Sequence, residues 1–307
     1  MEVINGYRIH GSFTSENAGF CKWAFGDKGG RQYFIKEFLS PKFPLADSGL
    51  SLATIEKKKS ECEKFYNQKA KVYREIQKCR TGNVMIIHDF FRDGSKYYAA
   101  TERVMAESLT AQNIAALSSE KKLTLIRSIL YSFSEIHSRC IVHSDVKPDN
   151  ILIKKTKNDF YTGKIIDFDA SFFESDIPED IQGDQVYLAP EMRLRMMEIP
   201  VPITTKADIF ALGILFHQYW CGERPGCPDD YDYLFEAVLD GAPISVSEEI
   251  PETLRKQIQA MLQKEPSGRP GAAQVLQALA GQPGEPKSRV KYSGFAPMES
   301  AQVKDVR

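Results

Sequence analysis

Residues 143–150 constrain this chain more than any other stretch; they read His-Ser-Asp-Val-Lys-Pro-Asp-Asn. Upstream, Leu123, Ile126, Ile129, Leu130, Phe133 and Ile136 fall on one face of an amphipathic helix. Downstream, Ile151-Leu152-Ile153 reads as a short strand. The polar stretch between them is therefore a loop gripped by two regular elements. It places a carboxylate (Asp145), an ammonium (Lys147) and a carboxamide (Asn150) within six residues. Phosphoryl transfer needs such a set, because positioning and charge neutralisation outweigh covalent chemistry. One carboxylate orients the attacking hydroxyl and takes its proton, a cation sits on the moving phosphate, and a metal ligand lies close to both. Taken alone, the pattern also fits a polar turn that caps the following strand.

Further along, Asp167-Phe168-Asp169 directly follows the apolar pair Ile165-Ile166. A carboxylate at a strand end, shortly after Asn150, makes a second metal ligand. Mg²⁺ is commonly bound by one or two carboxylates plus substrate phosphates. A surface turn with two aspartates is the plainer reading, and the spacing to Asn150 weakens it. Ala189-Pro190-Glu191 comes next, then Asp208 at the head of an apolar run, then Arg269 near the end.

The rest of the chain supplies a frame for these groups. From Tyr7 to Lys36 it reads as short strands, with Gly26-Asp27-Lys28-Gly29-Gly30 as a turn and Tyr33-Phe34-Ile35-Lys36 as a strand. A long polar helix is expected from about Leu52 to Gln77, with Cys62, Phe65, Val72, Tyr73 and Ile76 as its apolar contacts. Val84 to His88 and Tyr97 to Val104 read as two more strands. Beyond Val104 the texture turns helical. Ile209 to Trp220 is apolar on nearly all sides, as in a buried helix, and weaker helices follow at Tyr231–Leu239, Glu252–Leu262 and Ala272–Leu279. Strands first and helices after is an α+β order. The end, rich in Pro, Gly and charge, reads as a flexible tail.

Composition closes off several functions. The 307 residues carry 40 basic and 41 acidic side chains, a net charge of -1, which argues against a chain-wide pull toward nucleic acid or anionic membrane. The most apolar stretch, Ile209 to Trp220, holds His217 and Gln218 and is too short for a membrane span. Met1 to Phe13 has no apolar signal core. The six cysteines form no CxxC pair and read as reduced thiols. A soluble, cytoplasmic protein with no membrane span and no nucleic-acid partner is expected.

Taken in order, the strand lysine Lys36, the His143–Asn150 loop, the Asp167 triplet, Ala189-Pro190-Glu191, Asp208 and Arg269 resemble the eukaryotic-type (Hanks-type) protein Ser/Thr kinase family. The resemblance covers about Tyr7 to Gly281. It implies a bilobal α+β fold: a small β-rich lobe with one long helix over residues 1–104, a larger helical lobe over 105–281, and a tail over 282–307. ATP and Mg²⁺ would be the cofactors and a protein the substrate. By the family's pattern, Lys36 would hold the α- and β-phosphates. Asp145 would be the catalytic base, and Lys147 would contact the γ-phosphate. Asn150 and Asp167 would bind Mg²⁺. Leu152 would lie beneath adenine, Thr101 would be the gatekeeper, and the backbone of Glu102 and Val104 would pair with adenine. Glu191 and Arg269 would form a structural ion pair, and Asp208 would brace the catalytic loop. Lysine two residues after the catalytic aspartate resembles Ser/Thr rather than Tyr kinases. Aminoglycoside-type small-molecule kinases lack that lysine and the Ala-Pro-Glu segment. A lone catalytic domain also suits a bacterial eukaryotic-like kinase.

Departures from the family's pattern lie mostly across the cleft. In the best alignment of the glycine-rich loop, Glu16, Ala18 and Cys21 take the three glycine places, and only the intervening Gly19 is glycine. The small roof residues over adenine become Trp23 and Phe34, which either narrow the pocket or turn aside into the small lobe. Ser144 replaces the arginine that grips a phosphorylated activation loop, so activity should not need that phosphate. Asp169 replaces a glycine, and Asp184 stands where a threonine is usual. The glutamate that would partner Lys36 is missing from its usual place, where register favours Gln68 or Lys69; among the helix's carboxylates Glu63 is the candidate. These departures motivate a second expectation, a nucleotide-binding pseudokinase or scaffold.

Overall fold

Alternating apolar and polar residues, punctuated by glycine, build the first layer of the molecule. The computed structural model describes residues 2–280 apart from 17, 18, 20, 46–48, 80 and 108. Six strands form one antiparallel sheet: β1 (Val3–Ile4), β2 (Tyr7–Thr14), β3 (Cys21–Lys28), β4 (Arg31–Phe38), β5 (Ile87–Asp93) and β6 (Lys96–Glu102). Their spatial order is β1-β2-β3-β4-β6-β5. Strand β6 is buried on both faces, because its side chains alternate between two cores. Tyr98 and Ala100 join Ile4, Tyr7, Ile9, Ala24, Tyr33 and Ile35, whereas Tyr97 and Ala99 join the main core.

Two strand boundaries differ from the sequence expectation. The glycine turn is shorter than expected, since Gly26 and Asp27 lie inside β3, paired with Tyr33 and Gln32. Only Gly29 (φ 59°) and Gly30 (φ 76°) turn the chain, as a two-residue hairpin with φ positive at both positions. Gly26 serves close approach instead: a Cβ there would lie 2.9 Å from the Arg8 carbonyl oxygen. The strand expected at Val84–His88 begins later. Val84 makes a single bridge to Ile165, and β5 runs on to Asp93, set by its hairpin partner Lys96 in β6. The mixed polarity of His88 to Asp93 hid this edge strand from an apolar count.

Helix α1 (Leu52–Ile76) starts at Ser51, whose Oγ accepts from the Thr54 N–H at 3.3 Å. Its inner face carries Cys62, Val72, Tyr73 and Ile76, at the spacing of one helix stripe. The helical lobe follows: α2 (Ala111–Ala115), α3 (Ser119–His137), α4 (Pro190–Met196), α5 (Lys206–Cys221), α6 (Leu234–Asp240), α7 (Glu252–Met261) and α8 (Ala272–Ala278). Two small ribbons sit among them. One pairs β7 (Ile141–Val142) with β10 (Phe172–Phe173); the other pairs β8 (Ile151–Lys155) with β9 (Tyr161–Ile165). They hold the 143–150 loop and the Asp167 triplet side by side.

Helix α5 is buried on almost every side, as its uniform apolarity predicts. Ribbon β8–β9 lies tight against α3, because a Cβ at Gly163 would sit 2.6 Å from Ile129 Cγ1 and 2.9 Å from Ile151 Cγ2. Overpacking of this kind typically costs about 1–3 kcal/mol. Gly163→Ala is therefore expected to lower the thermal midpoint; an unchanged midpoint in a melting experiment would contradict the close packing. Among the described residues no helix is long and apolar enough to cross a membrane. Ala18 and the expected tail lie outside the described residues.

Candidate active site

A cleft of about 2100 Å³ opens between the sheet and the helical lobe. Strand register decides what its roof presents. Cys21, Trp23 and Phe25 of β3 pair with Phe38, Lys36 and Phe34 of β4, and β4 pairs Phe34 with Thr101 and Lys36 with Ala99 of β6. All of these side chains line the cleft. The floor brings Asp145, Lys147, Asn150, Leu152 and Asp167 to the same space, with Gly19, Glu102 and Val104 at its rim. The described residues expected to meet nucleotide, metal or the reacting hydroxyl thus share one cavity, whereas Asp208, Glu191 and Arg269 lie outside it.

The 143–150 loop is fixed from below. The Asp208 carboxylate, 1% exposed, accepts the backbone N–H groups of His143 at 2.7 Å and Ser144 at 2.9 Å, and lies 3.0 Å from His137 Nε2. Such convergent donors hold Ser144 in the left-handed region, φ 75°. Above it, Asn150 Nδ2 donates to Asp145 Oδ2 and to the Asp145 carbonyl, both at 2.8 Å. Lys147 Nζ reaches Asp145 Oδ2 at 3.0 Å and Asp184 Oδ2 at 3.8 Å. Burial alone would pull the Lys147 ammonium down; the hydrogen bond and charge of Asp145, with Asp184 behind, push it up instead. Asn150 and Lys147 thus both meet Asp145 at Oδ2 and not at Oδ1. The Asn150 amide spends its nitrogen on Asp145, which leaves its oxygen to turn toward a metal beside Asp167. That donor set of amide oxygen and carboxylate fits Mg²⁺, which completes its shell with phosphates and water.

Lys36 corrects the sequence expectation for its partner. Glu63 is exposed on α1 and does not line the cleft. It lies six residues before Lys69, roughly 9 Å along the helix axis. Glu75 pairs instead with Lys78 and Arg139. At the register expected from sequence, Gln68 reaches Asp176 and Lys69 faces the cleft. Lys36 Nζ is held by Asp167 Oδ1 at 2.8 Å and Asp169 Oδ2 at 2.7 Å. Burial pulls the Lys36 ammonium down, but the Asp169 and Asp167 carboxylates outweigh it and hold the group charged. Burial likewise pushes the Asp167 carboxyl up, and the Lys36 ammonium reverses this.

Trp23 and Phe34 do not turn aside. They stack on each other with centroids 5.4 Å apart at 24°, and Phe25 meets both edge-on. The Trp23 indole N–H donates to the Glu16 carbonyl at 2.8 Å, tying the roof to the loop above it. Sequence reading also missed Lys164. It is fully buried beneath the strand connection and meets Glu102 Oε1 at 2.6 Å; the same oxygen accepts from the Ile86 N–H at 2.8 Å. A lysine opposite Leu152 in a short apolar ribbon was the available signal. At the far end of the lobe Arg269 and Glu191 form the expected pair, with both guanidinium nitrogens on both carboxylate oxygens at 2.7 and 2.8 Å.

A model of the protein kinase domain matches residues 50–279, more than half of the chain; strands β1–β4, with Lys36, precede the match. A probable myosin light chain kinase of Dictyostelium discoideum is 28% identical over 225 residues, covering 70% of this chain and 71% of that one. A calcium-dependent protein kinase of Arabidopsis thaliana is 26% identical over 232 residues, 71% of this chain and 46% of its own length. A calcium/calmodulin-dependent serine/threonine-protein kinase of rice (Oryza sativa subsp. japonica) is 30% identical over 203 residues, 63% of this chain and 32% of its own. The chain therefore spans less than half the length of these two plant relatives. The chain belongs to the protein kinase family.

Proposed function

We propose that the cleft takes ATP with Mg²⁺ and that the chain transfers the γ-phosphate to Ser or Thr hydroxyls of a protein substrate, without a phosphorylated activation loop. The observation that carries this reading is the Asp145 carboxylate, held by Asn150 and Lys147 across one cleft from Lys36. Asp145 Oδ1 orients the hydroxyl and accepts its proton. Lys147 follows the transferring phosphoryl group, its charge sustained by Asp145 and Asp184. Lys36 meets the α- and β-phosphates. Asn150 and Asp167 hold Mg²⁺, which neutralises phosphate charge. Adenine lies between the aromatic roof and Leu152, against Thr101, with the backbone of Glu102 and Val104 as its partners.

Independence from loop phosphorylation rests on Ser144. Its hydroxyl donates to the Gln182 carbonyl at 2.5 Å, so the activation segment is tied directly to the catalytic loop. Of the segment's hydroxyls, Ser171 is buried and donates to the His143 carbonyl, and Tyr187 is buried against Gln218. Ser175 is exposed. Ser175→Ala is expected to keep activity within about twofold, because no arginine stands beside the catalytic aspartate to grip a phosphate. A loss above about tenfold in a steady-state assay would contradict this.

One observation favours a nucleotide-binding scaffold instead: the stacked Trp23–Phe34 pair occupies the roof where small residues are usual. The two readings part in one experiment. The protein is incubated with Mg²⁺, γ-labelled ATP and a generic Ser/Thr substrate, followed by phosphoamino-acid analysis. Label on Ser or Thr, absent from Asp145→Ala, supports transfer; nucleotide binding without label supports the scaffold.

A further inference from the structure

Helix α1 turns a lysine and a tyrosine, and no carboxylate, toward Lys36. The carboxylate comes from the other side, from Asp169, 133 positions away in sequence. Each Asp169 oxygen has its own donor: Oδ2 accepts from Lys36 Nζ at 2.7 Å, and Oδ1 accepts from the Tyr73 hydroxyl at 2.8 Å. The Lys69 ammonium donates to the Asp169 backbone carbonyl, and the Asp169 N–H donates to Asp167 Oδ1 at 3.3 Å. Tyr73 is 4% exposed, Lys36 13% and Asp169 26%, so these are half-buried contacts, where a charged hydrogen bond counts for more than at the surface. Asp167 also touches Lys36, but a metal at Asp167 draws on the same carboxylate. Asp169 has no such second duty in the proposed site. The usual polarity across this contact is thus exchanged: the helix brings the cation and the phenol, and the activation segment brings the acid.

We propose that Asp169 is the positioning residue for Lys36, and that Tyr73 and Lys69 of α1 hold Asp169 in place. A glycine at this position would keep the backbone carbonyl that Lys69 meets but leave the Lys36 ammonium with Asp167 alone, and the metal would compete for it. The exchange accounts together for three departures from the family's pattern: the carboxylate at 169, the lysine at 69, and the missing helix glutamate. It rests on the nucleotide-binding reading of the cleft.

The test measures the dissociation constant of mant-ATP with Mg²⁺, together with KM for ATP and kcat, for wild type, Asp169→Asn, Tyr73→Phe and the double variant. Asp169→Asn is expected to raise both the dissociation constant and KM by about tenfold or more, the weight of one hydrogen bond between charged groups. Tyr73→Phe, which keeps the ring, is expected to shift both in the same direction by a few-fold, and to add nothing once Asp169 is Asn. A merely structural role would lower the melting temperature and leave KM for ATP in place. Unchanged mant-ATP affinity and KM in Asp169→Asn overturn the proposal, as does a Tyr73→Phe effect that persists in full in the double variant. A wild type that binds mant-ATP but transfers no phosphate sinks the transfer reading alone, since the affinities still test Asp169. A wild type that binds no mant-ATP sinks both.

Discussion

Asp145→Ala is expected to lower kcat for phosphoryl transfer by about 10²–10⁴-fold, the usual weight of a positioned general base. The effect follows from how the carboxylate is held. Asn150 and Lys147 both bind Oδ2, which fixes the plane of the group and aims Oδ1 outward. Without it, Lys147 retains only Asp184, 3.8 Å away, and is drawn from the phosphate path. Nucleotide affinity should change little, because Lys36, Thr101 and the roof do not contact Asp145 in this arrangement. Steady-state assays with labelled ATP separate the two quantities. A tenfold rise in KM for ATP with kcat preserved would mean that Asp145 serves binding, not transfer.

The second large effect concerns stability. Arg269→Ala is expected to cost about 3–5 kcal/mol, the range for removing one partner of a buried ion pair. Arg269 and Glu191 have side chains 0% and 5% exposed. The guanidinium's five N–H groups are all spent: two on Glu191, and one each on the carbonyls of Gln263, Lys206 and Lys264 at 2.8, 2.8 and 2.9 Å. Its plane also lies 5.0 Å from the Phe210 ring. Alanine would leave a buried carboxylate and the Gln263 and Lys264 carbonyls without the donors they now have. Arg269→Lys should recover little, because an ammonium has three donors and no fork. Calorimetry should show a fall in melting temperature on the order of ten degrees for alanine. A fall of only a degree or two would mean that water replaces the arginine.

Long periodic elements were legible in the sequence because one helix face writes itself at regular spacing. Helices α1, α3 and α5 follow from Val72, Tyr73 and Ile76, from Leu123 to Ile136, and from the unbroken Ile209–Trp220 run. Elements defined by a partner were not. The start of β5 depends on β6, and the place of Gly26 depends on Arg8 of a neighbouring strand. In the site, the order of the motifs identified the loop from His143 to Asn150 and the lysine of β4. The partner of Lys36 escaped because it is supplied by chain folding, from the far side of the cleft. Its trace was present nonetheless: Lys69 interrupts the stripe of Cys62, Phe65, Val72, Tyr73 and Ile76, and a lysine inside an apolar stripe needs a buried acceptor. Lys164 in β9 is the same kind of signal, answered by Glu102.

The stacked roof carries an optical consequence. The chain has two tryptophans. Trp220 is buried in α5 with Lys122 over its ring and does not line the cleft, whereas Trp23 lines it with its indole against Phe34. Emission that responds to an added nucleotide therefore reports on Trp23 alone. The bulk that distinguishes this roof from a small-residue one makes it a built-in fluorophore for following occupancy, with no label attached.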